Sequence, residues 1–264
     1  MLSKADRAVL LLTRPAAQSE RFAHEALERL ADDLSLSGAG RDAEAETRPG
    51  LRVVISPVLE IVPRRLLLRP FDYAGLIFTS ENGVAAFAED APAQAYGLPV
   101  WSVGNRTAEA ARRAGFGTVF SAADEGGDAE ALLRLLLETR PEGPLLHLRG
   151  AHARGDLPPR LSAAGLPCTA AIVYDQLARP LSPEALRVLE ATEPVLLPLF
   201  SPRTATLCAE GAAGAQAPLY PVAISNAAAR AWQALRPEAP VVSAHPNSAA
   251  MLDALSGIIA GNRG

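Results

Sequence analysis

The chain has 264 residues, 49% of them hydrophobic and 20% charged, with a formal net charge of -4 and a pI near 5.7. That length allows one large core or two ordinary ones, and the acidic balance argues against broad nucleic-acid binding, although a few converging arginines and helix N-termini can still hold an anionic ligand. Cys168 and Cys208 form no CxxC pair and are too few for a disulfide framework, which points to a reducing cytoplasm, and the apolar run from Val9 to Leu12 is too short for a signal-peptide core or a membrane span.

Ala8 to Leu12 reads as a buried strand ending at Thr13-Arg14-Pro15. Ser19 reads as the N-cap of the helix that follows, whose apolar face is Phe22, Ala23, Ala26, Leu27 and Leu30. Residues 35 to 50, rich in Gly, Ala, Asp and Glu, lack apolar periodicity and read as a surface loop. Leu51 to Val62 is extended, and Pro57 and Pro63 argue against one long central strand. Four short strand-to-helix units follow. Gly75 to Phe78 leads through Thr79 and Ser80, and Val100 to Val103 leads through Gly104, Asn105, Arg106 and Thr107. Thr118 to Phe120 leads through an acidic, Gly-rich loop to a helix around Ala129 to Leu137, and Leu145 to Leu148 leads through Arg149 and Gly150 to Leu157 to Ala164. Strands alternating with helices at this spacing predict a mainly parallel sheet covered on both faces, with ligand-facing loops at the carboxyl ends of the strands.

The stretch from Cys168 to Leu177 is a β-branched strand that turns polar at Tyr174. Beyond it the pattern repeats. Leu199-Phe200-Ser201 mirrors Phe78-Thr79-Ser80, and Val222 to Asn226 mirrors Trp101 to Asn105 at the same offset. Val241 to Ser243 mirrors Val119 to Ser121 with one residue inserted. The fourth unit, Leu146 to Gly150, finds its likeness at Leu11 to Pro15, near the start of the chain. The predicted fold class is therefore α/β, with two similar parallel-sheet domains, the second inserted into the first and joined to it by a two-stranded hinge. Residues 1–57 and 178–264 would form the first domain and 64–170 the second, with 58–63 and 171–177 as the connections. Tyr174 would then look into the gap between them.

The strand-end loops offer hydroxyls, glycines and arginines, with no nucleophile and base at a recognisable spacing. Thr79, Ser80, Thr107, Ser201 and Ser225 fall at helix starts, where capping is the ordinary role and where free N–H groups also bind carboxylates. Arg14, Arg106, Arg149 and Arg203 lie in equivalent places, and a guanidinium suits a carboxylate ligand. His24, His147, His152 and His245 are scattered and show no metal-ligand spacing, so they read as ordinary surface or core histidines. GxGxxG, GxxxxGK[ST] and GxSxG motifs are all missing from the sequence.

In order along the chain, Leu12-Thr13-Arg14-Pro15, Leu76 to Val84, Val103 to Ala108, Leu148-Arg149-Gly150, Val173-Tyr174 and Phe200-Ser201-Pro202-Arg203 resemble uroporphyrinogen-III synthase. Each motif is weak alone; the ordered set, over nearly the whole chain, is specific. The resemblance implies two α/β domains on a two-stranded connection. It also implies closure of the linear tetrapyrrole hydroxymethylbilane to uroporphyrinogen III, with loss of water, inversion of the last pyrrole ring and no cofactor. The family's tyrosine falls on Tyr174, a phenol whose O–H can donate to the departing hydroxyl. Carried over in the same way, the substrate-binding set is Arg14, Thr79, Ser80, Gly104, Asn105, Thr107, Arg149, Gly150, Ser201, Arg203, Ser225 and Asn226. Expected partners are the tetrapyrrole and, transiently, hydroxymethylbilane synthase, with neither nucleic acid nor membrane; a cytoplasmic monomer is expected.

The chain departs from the family at one helix start. Where some members carry Gly-Pro-Thr-Thr, it has Ser225-Asn226-Ala227-Ala228, so binding there falls to Ser225, Asn226 or backbone N–H groups. Two other readings share the two-lobed pattern: a non-catalytic small-molecule binding protein and a nucleotide-sugar transferase. A binding protein would tolerate Tyr174→Phe, and a transferase would bind nucleotide.

Overall fold

The computed structural model describes residues 8–36, 51–123, 129–152 and 157–261. The first part of the chain forms β1 (Ala8–Leu12), α1 (Ala16–Leu36), β2 (Leu51–Ile55) and β3 (Leu59–Pro63). Next come β4 (Gly75–Phe78), α2 (Glu81–Ala88), β5 (Val100–Ser102), α3 (Asn105–Ala114), β6 (Val119–Ser121) and α4 (Ala129–Thr139). β7 (Leu145–Gly150), α5 (Leu157–Ala163), β8 (Cys168–Ala178), α6 (Pro183–Glu190) and β9 (Val195–Leu199) follow. The chain closes with α7 (Pro202–Gly211), β10 (Leu219–Ala223), α8 (Asn226–Gln233), β11 (Val241–Val242) and α9 (Ser248–Ile259). The fold is α/β, built on two mainly parallel sheets. Among the described residues no helix is long and apolar enough to cross a membrane.

Contacts divide the chain into two compact units, Met1–Glu60 with Ala178–Gly264, and Ile61–Leu177. One sheet has the order β11-β10-β9-β1-β2 and the other β3-β8-β7-β4-β5-β6. Read from its other edge, the first sheet is β2-β1-β9-β10-β11, which matches β8-β7-β4-β5-β6 strand for strand. The repeat therefore extends to the swapped fourth unit, because β1 occupies in its sheet the place β7 occupies in the other. Register agrees as well. Phe78 sits beside Ser102 and Leu199 beside Ala223, every number rising by 121, from 78 to 199 and from 102 to 223. Ser121 beside Ser102 and Val242 beside Ala223 keep the same offset, so the residue expected to be inserted before Ser243 is not there.

The central strands β1, β9 and β4 are buried on both faces, which is why they are almost continuously apolar. In β1, Val9 and Leu11 join one cluster with Trp232 of α8, while Leu10 and Leu12 join another with Phe22 of α1 and Met251 of α9. In β4, Leu76 and Phe78 pack with Phe87 of α2 and Ala111 of α3, while Ile77 packs with Leu132 and Leu136 of α4. β3 is the added edge strand of the second sheet. Arg64 N donates to Val173 O at 2.7 Å and Arg179 N to Val58 O at 2.9 Å, so β3 and β8 run antiparallel.

Several expectations change. α1 begins at Ala16, so Ser19 is not its N-cap; it is a buried residue within the helix and donates to Arg14 O at 2.9 Å. The expected loop 35–50 overlaps the end of α1, which runs to Leu36, and residues 37–50 lie outside the described residues, as do 124–128 of the expected acidic loop. Leu51 to Val62 is two strands, and Pro57 lies between them. β7 continues through Gly150, because its register with β8 shifts between Arg149 and Gly150 and carries the pairing on to Tyr174.

Candidate active site

In the second unit the carboxyl ends of β4, β5 and β7 lie side by side, and β4 sends its two hydroxyls to opposite faces of the sheet. Side chains alternate along a strand. Phe78 and Ser80 therefore share the face of α2 and α3, and Ile77 and Thr79 share that of α4.

On the first of these faces stands Tyr174, only 5% exposed and packed with Phe78, Leu148 and Val173. Strict alternation would not put it there. Ala171 and Val173 are buried and Ile172 is exposed, so the next inward position would be Asp175. The register shift breaks that rhythm. Ile172 pairs with Arg149 but Tyr174 pairs with Gly150, so Val173 is the extra residue of a β-bulge and both Val173 and Tyr174 face inward. Gly150 makes room for the ring, since a Cβ at that position would lie 2.5 Å from Tyr174 Cζ and 2.8 Å from its hydroxyl. The Tyr174 hydroxyl is 3.0 Å from Ser80 Oγ, which also accepts from Gly83 N at 3.1 Å as the N-cap of α2. Gly83 permits that approach of α2 to the sheet, its Cβ position lying 3.2 Å from Leu148 O. The result is a phenol held by a serine that is itself locked by a helix.

On the other face Thr79 Oγ1 lies 3.3 Å from His147 Nε2. His147 is buried, and its Nδ1 has no hydrogen-bond partner among the described residues. Burial, aided by the positive charge of Arg149, pushes the His147 pKa down from 6.5 to about 4, so the ring is neutral at physiological pH. Cys168 and Cys208 are free thiols whose pKa values burial raises to about 11 and about 12, which leaves neither a ready nucleophile.

The remaining candidates separate into groups. Gly104 is the N-cap of α3 and supplies no side chain; Asn105 is exposed and its Oδ1 accepts from Ser121 Oγ at 3.1 Å, while Thr107 is 7% exposed inside the first turn. Arg149 is half-buried, with Nε donating to Gly150 O at 3.3 Å. In the first unit Ser201 caps α7, accepting from Thr204 N at 3.1 Å, and Ser225 caps α8, accepting from Ala228 N at 3.3 Å. Arg203 is half-buried and Asn226 exposed. The Arg14 guanidinium lies 4.1 Å over the ring of Phe200, which Phe22 meets edge-on, so this cation is held by a ring face next to the Ser201 cap. Ser80, Gly150 and Tyr174 thus converge in one contact, Thr79 joins a residue outside the expected set, and the first-unit serines are occupied as caps. His147, which the sequence alone presents as an ordinary histidine, is that residue outside the expected set; its place two residues before Arg149, on a strand with β4 as neighbour, is the sequence signal for it.

The described residues also line an open pocket of about 290 Å³, formed in part by Arg65, Arg69, Phe71, Phe87 and Val173, beside the β8 bulge. No group of three or more His, Cys, Asp or Glu side chains among the described residues is placed to hold a metal ion.

A family model described as uroporphyrinogen-III synthase HemD matches residues 42–253. The chain is similar in structure to the uroporphyrinogen-III synthetase of Helicobacter pylori, with a TM-score of 0.61 and 15% identity over 96% of this chain and 99% of that one. A mutant uroporphyrinogen III synthase from the extremely thermophilic bacterium Thermus thermophilus matches with a TM-score of 0.49 and 16% identity, covering 94% of this chain and 97% of that one. No curated protein sequence matches. The first structural likeness shows a shared fold, and the family model spans most of the chain, all of the second sheet and the Ser80–Gly150–Tyr174 contact included: the chain belongs to the uroporphyrinogen-III synthase family.

Proposed function

We propose that this chain closes hydroxymethylbilane to uroporphyrinogen III, and that Tyr174 is the acid that assists loss of the substrate's hydroxyl. Family membership supports the reaction, and the contact of Tyr174 with Ser80 supports the role of the phenol. With Ser80 Oγ taking its fixed hydrogen bond from Gly83 N, its own proton can be given to the phenol oxygen, which turns the Tyr174 proton outward. The hydroxyl then departs as water as it receives that proton, and the neighbouring pyrrole nitrogen supplies the electron pair that expels it. Ser80 remains as a donor to the phenolate, so the charge left on the enzyme is hydrogen-bonded as it forms. The substituted carbon of the last ring attacks the exposed methylene carbon, and the bond from that ring carbon to the preceding methylene then breaks. That methylene re-bonds to the ring's free carbon, whose proton leaves and restores the phenol, so the ring is inverted and the sequence is redox-neutral. Orientation of the chain ends contributes more than acid strength, because unassisted closure joins the wrong carbon.

Carboxylate arms meet Arg14, Thr79, Gly104, Asn105, Thr107, Arg149, Gly150, Ser201, Arg203, Ser225 and Asn226, while Ser80, its proton given to Tyr174, serves the substrate through the phenol. Helix N-termini at Gly104 and Ser225 offer backbone N–H groups for the same purpose. Two free cysteines fit action in a reducing cytoplasm, where the substrate would be received in a transient encounter with hydroxymethylbilane synthase; the acting species is taken to be the monomer.

The test generates hydroxymethylbilane in situ, oxidises the products and separates type I from type III porphyrin. Type III is expected only with this protein present, and Tyr174→Phe is expected to lower kcat by about 10²-fold or more, the scale of general acid catalysis. Type I alone with folded protein overturns the reaction, and full activity of Tyr174→Phe overturns the acid role.

A further inference from the structure

We infer that Thr79, His147 and Arg149 form a carboxylate subsite on the face of the second sheet opposite Tyr174, in which His147 holds the Thr79 hydroxyl with its proton turned outward to a substrate arm. The inference rests on the reading of Thr79 and Arg149 as substrate-binding groups and adds His147 as a positioning residue.

Parallel pairing sets Ile77 beside His147 and Phe78 beside Leu148, so the next position sets Thr79 beside Arg149 on the face that His147 shares. Deeper on that face the positions are apolar: Ile77, Leu145 and Trp101 pack with Leu132 of α4. A leucine at 147 would extend that packing with no polar atom to satisfy. The histidine instead leaves Nδ1 buried with no partner among the described residues, an arrangement that costs stability. What it supplies in return is Nε2, 3.3 Å from Thr79 Oγ1.

The tautomer decides what Thr79 presents. A neutral imidazole has one N–H and one lone pair. If the proton sat on Nδ1, a buried donor would lack any acceptor, and the Thr79 O–H would be consumed on the Nε2 lone pair. Its oxygen lone pairs would then face outward and repel an anion. With the proton on Nε2, the ring donates to Thr79 Oγ1 and only a lone pair is left at Nδ1, the less costly of the two defects. Thr79 then keeps its own proton to donate. Arg149 lies close enough for its charge to act on His147, and it supplies the cation beside that donor. A hydroxyl donor next to a guanidinium suits a carboxylate, the group borne by the acetate and propionate arms of the substrate.

The experiment compares kcat and KM for type III formation in His147→Gln, His147→Leu, Thr79→Val and the double variant Thr79→Val with His147→Leu. It also records ¹⁵N-histidine NMR spectra of the full chain near neutral pH. Loss of one hydrogen bond to a charged arm predicts a rise in KM of about tenfold for Thr79→Val and His147→Leu, with kcat within about twofold. The double variant should be no worse than Thr79→Val alone. Gln carries an amide N–H where His has Nε2–H, and His147→Gln should restore KM to within about twofold of wild type. NMR should show the proton on Nε2. A proton on Nδ1, an equal defect in His147→Gln and His147→Leu, or an unchanged KM in Thr79→Val overturns the subsite while leaving the cyclase reading standing. Absence of type III product from the wild-type chain overturns the cyclase reading instead, and the NMR result then still reports the tautomer. Should His147→Leu fail to fold, Thr79→Val and His147→Gln carry the test.

Discussion

Gly150 is glycine because Tyr174 occupies the space a side chain would take. With a Cβ 2.5 Å from the ring, Gly150→Ala forces the phenol out of its seat or opens the bulge. We expect a loss of about 1–3 kcal/mol in stability, as for overpacking, and a fall in kcat of the same order as Tyr174→Phe. Urea midpoints and the isomer assay check both. His147 makes a different prediction, from linkage. Its folded pKa, about 4, lies below the 6.5 of the unfolded chain, so between these values the unfolded state binds more protons. Stability from this group is therefore full above pH 6.5 and is lost as pH falls toward 4, amounting to about 3 kcal/mol at most. His147→Gln removes that component, and the difference in urea midpoint between variant and wild type across about pH 7 to 4.5 measures it.

At the scale of elements, the repeat makes Ser80 and Ser201 the same cap at the same register position, α2 and α7 starting 121 residues apart, at 81 and 202. Each serine accepts from the backbone N–H three residues on, so Ser80→Ala and Ser201→Ala should each cost about 1 kcal/mol of stability. They should part company in catalysis. Only Ser80 touches Tyr174, so only Ser80→Ala is expected to lower kcat, and equal kcat values for the two variants would remove Ser80 from the proton path. β4 and β5 carry a second steric demand. A Cβ at Gly75 would lie 2.9 Å from Pro99 O, a backbone atom that cannot swing aside, and 2.4 Å from Trp101 Cζ3. Gly75→Ala should therefore lower the yield of folded protein, read by the loss of near-ultraviolet circular dichroism from Trp101.

Across the whole molecule, each unit closes its own pair of cores and holds one of the two tryptophans, Trp232 in the first and Trp101 in the second, both buried. Fluorescence of Trp101→Phe and Trp232→Phe in urea should give separate midpoints for the two units, and coincident curves would mean that they unfold as one block. The doubled α/β plan was legible in the chain, because strand and helix periods are local and because three units recur in order at nearly constant spacing. The swap that pairs Leu146 to Gly150 with Leu11 to Pro15 was legible for the same reason, and the strand orders carry it out. Ser80 and Tyr174 could be named as candidates by likeness, since each sits where a strand changes character. The contact between them could not, because it depends on a one-residue slip between β7 and β8 that moves Tyr174 to the buried face, and alternation alone assigns it to the other. Nor could His147 be told from a core histidine, because the residue that gives it meaning, Thr79, is brought beside it by parallel pairing of strands 68 residues apart in the chain. Residue types and local periods determined which elements form and in what order; which side chains meet was decided by register, a property of two strands together that neither segment specifies alone.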